Sequence, residues 1–500
     1  MCIENYSLVE VGAKVITKLL YNIPVAIVLC IIIAVGAYLY YNMALQLESL
    51  ELKGYPSNKG YVSDEVWYVN SARNLLRIIF SAQPRMDIPR ASLIFSSHSD
   101  LLQAKSLAET YSVRVVADEN YFPKIREEEG KYVLYVESQS ISSIKALAKA
   151  SNAVDIVYGW LIGDARGTYN YLNLEHPPLA KYLIALSIAT LGDKPLYWRI
   201  PSIAMGIIVI LFTFLIVYEV TKIPELGLIA AAATAVDPMT RVMSSIAMLD
   251  IYVSAFTVLI LYLAVKGKFK ESALFLGLGS TVKFSTLLTA IPLVFLYMNN
   301  LFKRGYRIKQ VVGEVVYYAL LMVLSFLFFQ ILISMPIILK LGPSAWIDQG
   351  LLGPIQWHLS AKCLEPPPKC PQSSTPWEWF LGINSFPVYA SPLIYAQGFT
   401  PAYTVALFLM VLATPSMVYE RSARTIWYMI IGVFLGYVAV WILGGRTQYS
   451  FYAIQLTPLI YSYLTVQIYE FIRRENIEKI FDTWRRLVVA LIKIVFSIFR

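Results

Sequence analysis

Long apolar runs alternate with short basic loops along this chain. The stretches IPVAIVLCIIIAVGAYLYY from Ile23 and IPSIAMGIIVILFTFLIVY from Ile200 match the length needed to cross a hydrocarbon core. Similar runs predict spans at roughly 22–41, 199–219, 226–240, 243–265, 271–283, 285–299, 311–333, 402–419, 425–443 and 449–470. The first run has no small-residue cleavage site and is long for the apolar part of a signal peptide, so it is expected to be a retained span. The pattern predicts an all-α polytopic membrane protein of about 10–11 spans.

Basic residues orient these spans, because Lys and Arg collect in cytoplasmic loops. Lys14 and Lys18, Lys266/Lys268/Lys270, Lys303/Arg304/Arg307/Lys309, Arg421/Arg424, and the tail with Arg473, Arg474, Arg485 and Arg486 are expected on one side. Segment 271–299 must then go out and return, with Lys283 near its outer turn. The 14-residue stretch LAKYLIALSIATLG (179–192) cannot be a full span and should lie in or dip into the outer leaflet. Residues 42–198 form one large outside loop and 334–401 a second. The tail NIEKIFDTWRRLVVALIKIVFSIFR mixes basic and apolar residues at helical spacing, which predicts an amphipathic helix on an anionic inner surface, an eleventh span being the alternative.

Inside the first loop the period changes. ASLIFSS (91–97), VRVVAD (113–118) and KYVLYVES (131–138) read as strands, with helical spacing in DLLQAKSLAETY (100–111) and after Ser138. The chain therefore divides into the first span and its acidic loop (1–85), an extracytoplasmic α/β insert (86–155), a juxtamembrane segment with the central spans (156–333), the second outside loop (334–401), the C-terminal spans (402–472) and the amphipathic tail (473–500).

Composition narrows the class. The chain is 57% hydrophobic with a net charge of +9. The basic excess is what cytoplasmic loops require, and no basic-aromatic module argues for nucleic acid. Of four cysteines, Cys363 and Cys370 bracket LEPPPK in the second outside loop, where an oxidising environment would permit a disulfide; the spacing is not that of a zinc site.

Four places carry candidate chemistry. Asp64-Glu65, in YVSDEVWYV, is either a simple helix start, which favours carboxylates, or a general base with a hydrogen-bonding partner. Glu175-His176-Pro177-Pro178-Leu179-Ala180-Lys181 fixes an extended chain before a helix and brings Glu, His and Lys together, in a sequence with three His. Arg199, Asp237, Arg241, Asp250, Lys283 and Arg446 lie at span borders, where charges are costly unless they pair, snorkel or function. The topology turns all of them outward, suiting an anionic phosphate at the lipid-water boundary. Trp377, Trp379 and Phe380, in SSTPWEWF, are either an interfacial belt or an apolar seat for a lipid chain or sugar ring, with the belt favoured.

Taken in order, these motifs resemble the dolichyl-phosphate-mannose–protein mannosyltransferases, glycosyltransferases of the GT-C fold. The matching pieces are Asp64-Glu65, His176 to Lys181, Arg199, Leu249-Asp250, Gly277 to Lys283, Thr375-Pro376-Trp377, and Arg446 through Phe451-Tyr452 to Pro458. The family usually has Asp before HPP, where Glu175 stands, and its interval from Asp-Glu to HPP lacks the α/β insert. The β-trefoil domain of eukaryotic members has no room in 334–401; the many Tyr, the two-sided charge and the possible outer disulfide suggest an archaeal or bacterial type of member. The resemblance implies transfer of a hexose, mannose first among them, from a polyprenyl or dolichyl phosphate to a Ser/Thr hydroxyl on the extracytoplasmic face of the cell membrane, with inversion. It implies Asp64 as catalytic base. Glu65 and His176 would orient substrates, Lys181 and Asp250 would join the donor and acceptor site, and Arg199, Lys283 and Arg446 would steady the phosphate. Neither metal nor cofactor is expected, because no nucleotide diphosphate is involved. Alternatives are a GT-C transferase acting on a lipid or glycan, a transporter, and a non-catalytic scaffold. Charges gathered at one face argue against a transporter, whose sites lie near the midplane.

Overall fold

A computed structural model describes residues 8–53, 59–360, 372–472 and 474–498. Cys363 and Cys370, the possible disulfide partners, lie outside the described residues. In chain order the helices are α1 (Leu8–Leu52), α2 (Glu65–Asn74), α3 (His98–Leu107), α4 (Pro123–Glu129), α5 (Ile141–Ala150), α6 (Leu179–Thr190), α7 (Pro195–Thr221), α8 (Pro224–Val236), α9 (Pro238–Ser244) and α10 (Asp250–Val265). They continue as α11 (Phe269–Ser280), α12 (Ala290–Lys303), α13 (Ile308–Leu341), α14 (Pro343–Ala345), α15 (Gly353–Ser360), α16 (Thr400–Leu412), α17 (Ser416–Tyr419), α18 (Arg421–Ile442), α19 (Thr457–Ile472) and α20 (Arg474–Ile498).

The protein is a multi-pass helical membrane protein. Among the described residues, five helical segments are long and apolar enough to cross a membrane: Ile23–Leu52, α7, Phe284–Lys303, α13 and α18. A sixth arises if α8 and α9, bent by 62°, are one broken span. The bend has a chemical cause. Pro238 cannot donate a backbone hydrogen bond, and the Asp237 carboxylate accepts from the amides of Met239 and Thr240, starting a new helix. Its other oxygen accepts from Phe399 N and Tyr461 Oη. Asp237 is therefore a cap rather than the partner of Arg241.

The remaining expected spans fall on shorter helices. The 16 residues of α10 rise about 24 Å, less than a hydrocarbon core. Segment 271–299 is broken at Lys283, whose extended backbone separates α11 from the 3-10 turn Phe284–Thr289. The stretch 179–192 holds only the 12-residue α6. The tail forms the single helix α20, with Phe481, Leu487 and Leu491 exposed beside Arg485 and Arg486.

The insert is a four-stranded sheet of β1 (Arg90–Phe95), β2 (Val113–Ala117), β3 (Tyr132–Ser138) and β4 (Asp155–Tyr158), ordered β2-β3-β1-β4 with every neighbouring pair antiparallel. With α3 and α5 as crossovers this is the ferredoxin-like arrangement. Its last strand carries the sheet past residue 155, the boundary read from the sequence. Both faces are covered. Leu93, Phe95, Leu134 and Val136 pack under α3 and α5, while Ile94, Val133, Tyr135 and Val157 join the core of the helical body. Double coverage explains why YVLYV (132–136) is apolar throughout instead of alternating.

Candidate active site

Asp64 and Glu65 open α2 and point to different places. The Asp64 carbonyl accepts from the amides of Trp67 and Tyr68, at 2.9 and 3.2 Å, which starts the helix. Its half-buried carboxylate has no hydrogen-bond partner among the described residues and lines a cleft of about 330 Å³. Burial pushes the Asp64 carboxyl up to about 6; Lys283 opposes that shift and Asp250 adds to it. Glu65 instead turns inward and is fully buried. Its oxygens accept from Arg199 Nε at 2.8 Å and Nη2 at 2.7 Å, from Ala247 N at 2.7 Å and from Val62 N at 2.8 Å. Arg199 also donates to the carbonyls of Ala44 and Gly60. This buried pair ties the end of α1, the start of α2, α7 and the turn before α10. It sits behind the cleft, so the structure places neither Glu65 nor Arg199 in contact with a substrate there.

The Glu175–Lys181 motif divides in the same way. Lys181, on the first turn of α6, is fully buried. Its ammonium donates to the carbonyls of Leu172 (3.3 Å), Asn173 and His176 (2.7 Å) and to Asn173 Oδ1 (3.3 Å). Burial pushes the ammonium pKa down, against the pull of Glu175. The lysine therefore folds the preceding loop around itself and does not line the cleft. What the loop presents is Glu175, which accepts from Asn173 Nδ2 at 2.8 Å, and His176, whose ring lies 5.8 Å from that of Tyr68. Both line the cleft, and burial pushes the Glu175 carboxyl up.

Lys283 closes the cleft. Its Nζ lies 2.8 Å from Asp250 Oδ1, both side chains being almost fully buried. It also stands over the Tyr452 ring at 4.3 Å and the Phe451 ring at 5.7 Å. The second Asp250 oxygen has no hydrogen-bond partner among the described residues. Behind Lys283 and Tyr452 a second cavity of about 210 Å³ begins, with Leu288, Pro354, Ile355 and Val440 in an apolar wall.

The structure thus brings together Asp64, Glu175, His176 and Lys283, with Asp250 acting through Lys283. Arg446 is exposed, 5.4 Å over the Trp441 ring, and borders neither cavity. Trp379 and Phe380 are buried and form no exposed belt; Trp379 packs edge-on to Tyr437 and Tyr452, behind the lysine's aromatic support. Trp377 alone is exposed, against Trp441. Sequence reasoning did not single out Trp67, Tyr68, Tyr171, Asn173 or Tyr449 as cleft residues. The signal for them was the aromatic density around Asp64 and in TQYSFY.

Residues 175–333 match the family model described as dolichyl-phosphate-mannose-protein mannosyltransferase. That segment holds Glu175, His176, Lys181, Arg199, Asp250 and Lys283, and it bears out the resemblance carried by the motifs. No curated protein matches the chain. Among solved structures, ArnT from Cupriavidus metallidurans bound to undecaprenyl phosphate is similar, at 14% identity, 59% of this chain, 50% of that chain and a TM-score of 0.40. AglB, the oligosaccharyltransferase of Archaeoglobus fulgidus, in complex with an inhibitory peptide and a dolichol-phosphate, is similar at 12% identity, 89% and 50% coverage and a TM-score of 0.46. An apo form of the Archaeoglobus fulgidus enzyme gives 11%, 93% and 52%, with a TM-score of 0.45. The chain spans about half the length of each of these structures.

Proposed function

We propose that this protein is a membrane glycosyltransferase that moves a hexose, mannose by the family resemblance, from a polyprenyl or dolichyl phosphate to an acceptor hydroxyl. The proposed acceptor is a Ser/Thr hydroxyl of protein, on the extracytoplasmic face, and the reaction uses no metal. One observation carries the reading: the Asp64 carboxylate, without a hydrogen-bond partner among the described residues, faces a cleft that meets an apolar cavity at Lys283. A lipid chain in the apolar cavity would leave its phosphate beside the Lys283 ammonium and its sugar among Asp64, Glu175, His176 and the aromatic rings.

The chemistry follows from those positions. The acceptor oxygen attacks the sugar's anomeric carbon while the bond from that carbon to the phosphate oxygen breaks. Asp64 takes the hydroxyl proton, without which the hydroxyl is a weak nucleophile. The electron pair leaves with the polyprenyl phosphate, and Lys283, fixed by Asp250, meets the growing negative charge. A single displacement inverts the anomeric centre.

The test is incubation of purified protein with dolichyl-phosphate mannose and either a Ser/Thr peptide or a glycolipid. Glycosylated peptide with α/β inversion supports the whole reading. Product from the glycolipid alone replaces the protein acceptor with a lipid or glycan. No sugar transfer to either, from this or other polyprenyl-phosphate hexoses, overturns it.

A further inference from the structure

Four helices that stand behind the cleft and its apolar cavity carry their other ends to a second charged site. α7 runs from Arg199 to Glu219, α10 from Asp250 to Val265, Phe284–Lys303 from the Lys283 break to Lys303, and α18 from Arg421 toward Gly445. Between their far ends lies a cavity of about 200 Å³ with Glu219, Lys222, Asn299, Asn300, Lys303 and Arg421 in its wall. Glu219 is already shared by Lys222 and, at 3.2 Å, by Lys266. Neither Lys303 nor Arg421 has an ion-pair partner among the described residues. Like charges that converge on one concave space repel unless an anion sits between them. The neutral amides of Asn299 and Asn300 add hydrogen-bond donors suited to phosphate oxygens.

The depth of this cavity is marked independently. α20 is anchored at the same end: Trp484 Nε1 donates to Leu412 O at 2.7 Å, and the Thr483 and Tyr419 hydroxyls are 2.7 Å apart, two residues before Arg421. With Phe481 and Leu491 exposed beside Arg485 and Arg486, α20 has the form of a helix lying in a headgroup plane.

We propose that this cavity holds the phosphate of an anionic phospholipid headgroup. Bound there, the lipid neutralises Lys303 and Arg421, with Lys222 at its edge, and joins the far ends of four helices whose near ends stand behind the cleft. The site is separate from the transferase chemistry and stands without it.

The test uses the purified full chain in neutral detergent, with phosphatidylglycerol, phosphatidylcholine or inorganic phosphate added in turn. Unfolding temperature and lipid retention by native mass spectrometry are read. Phosphatidylglycerol is expected to raise the unfolding temperature and to be retained; phosphatidylcholine is not. The double substitution Lys303→Gln with Arg421→Gln should weaken phosphatidylglycerol binding roughly 30-fold, since each cation at a membrane surface gives roughly a fivefold factor. Lys222→Gln alone, at an exposed helix end, should weaken it roughly fivefold and serves if the double variant does not fold. Arg485→Gln with Arg486→Gln should leave the retained lipid in place. Equal binding of phosphatidylcholine, or equal loss in the α20 double variant, overturns the proposal. A full shift from inorganic phosphate alone also overturns it, in favour of a free-phosphate site.

Discussion

Arg199 holds both carboxylate oxygens of Glu65, at 2.8 and 2.7 Å, with no exposed surface on either side chain. Its sequence neighbour Asp64 faces the cleft instead, so two adjacent carboxylates should respond differently to loss of charge. Removing one partner of a buried ion pair costs about 3–5 kcal/mol. Glu65→Gln is expected to lower the unfolding temperature sharply. Asp64→Asn, which breaks no ion pair, should leave unfolding unchanged and lower kcat by about 10²–10⁴-fold, the range for a lost general base. Thermal unfolding and the transferase assay, run on both variants, separate the two roles. Full activity in Asp64→Asn would remove it as the base.

The same carboxylate sets a pH dependence. Burial raises the Asp64 carboxyl to about 6, and a base must be ionised to accept a proton. Activity should therefore rise with pH, about tenfold per unit on the acid side, and level off above the midpoint. Asp250 raises this pKa, so Asp250→Asn should move the midpoint of kcat/KM to lower pH even as it lowers the plateau. A midpoint that stays fixed in this variant would assign the titration to another group, with Glu175 the next candidate.

Much of this architecture was legible in the sequence, for definite physical reasons. Hydrophobic runs located α7, α13 and α18 because a spanning helix must be apolar over its whole length. Basic loops brought Lys266, Lys303 and Arg421 to one end, and by exclusion left Asp64, His176 and Lys283 at the other. Sequence order could not say which way a side chain turns. Asp64 and Glu65 differ by one position on a helix start, about 100° of rotation, and that angle decides cleft or core. Lys181 reads like a donor- or acceptor-binding residue in a string of letters. Only the folded loop shows that three carbonyls have claimed its ammonium. The fourth strand, DIVY, was too short and too close to the next segment to stand out until pairing with β1 defined it.

Lys283 and Asp250 form the second buried pair, and here the two partners should differ in consequence. Lys283→Met leaves the Asp250 carboxylate buried and unpaired, which costs about 3–5 kcal/mol. Lys283→Met with Asp250→Asn removes both charges and should recover most of that stability. If the lysine meets the donor phosphate, the double variant remains inactive and its KM for the lipid donor stays raised. Recovery of activity together with stability would reduce Lys283 to a structural role.

A third buried pair fixes the insert to the helical body, and a glycine makes room for it. Asp193 accepts from Arg73 Nε and Nη2, at 2.7 and 3.0 Å, from Trp160 N at 2.8 Å and from Trp198 Nε1 at 2.7 Å. It thereby joins α2, the chain leaving β4, and α7. Gly159 has φ +109, and a Cβ there would run into the Asp193 carboxylate. Gly159→Ala should thus add the displacement of Asp193 to a backbone strain of about 1–3 kcal/mol. Gly130 is the control: its φ is +61 and a Cβ would meet nothing within 4 Å, so Gly130→Ala should cost about 1 kcal/mol. The unfolding temperature should fall further for Gly159→Ala than for Gly130→Ala. Because Arg73 lies on the helix that Asp64 opens, only the former should also lower transferase activity. Equal shifts in the two variants would mean that the Asp193 junction yields without cost and does not position α2.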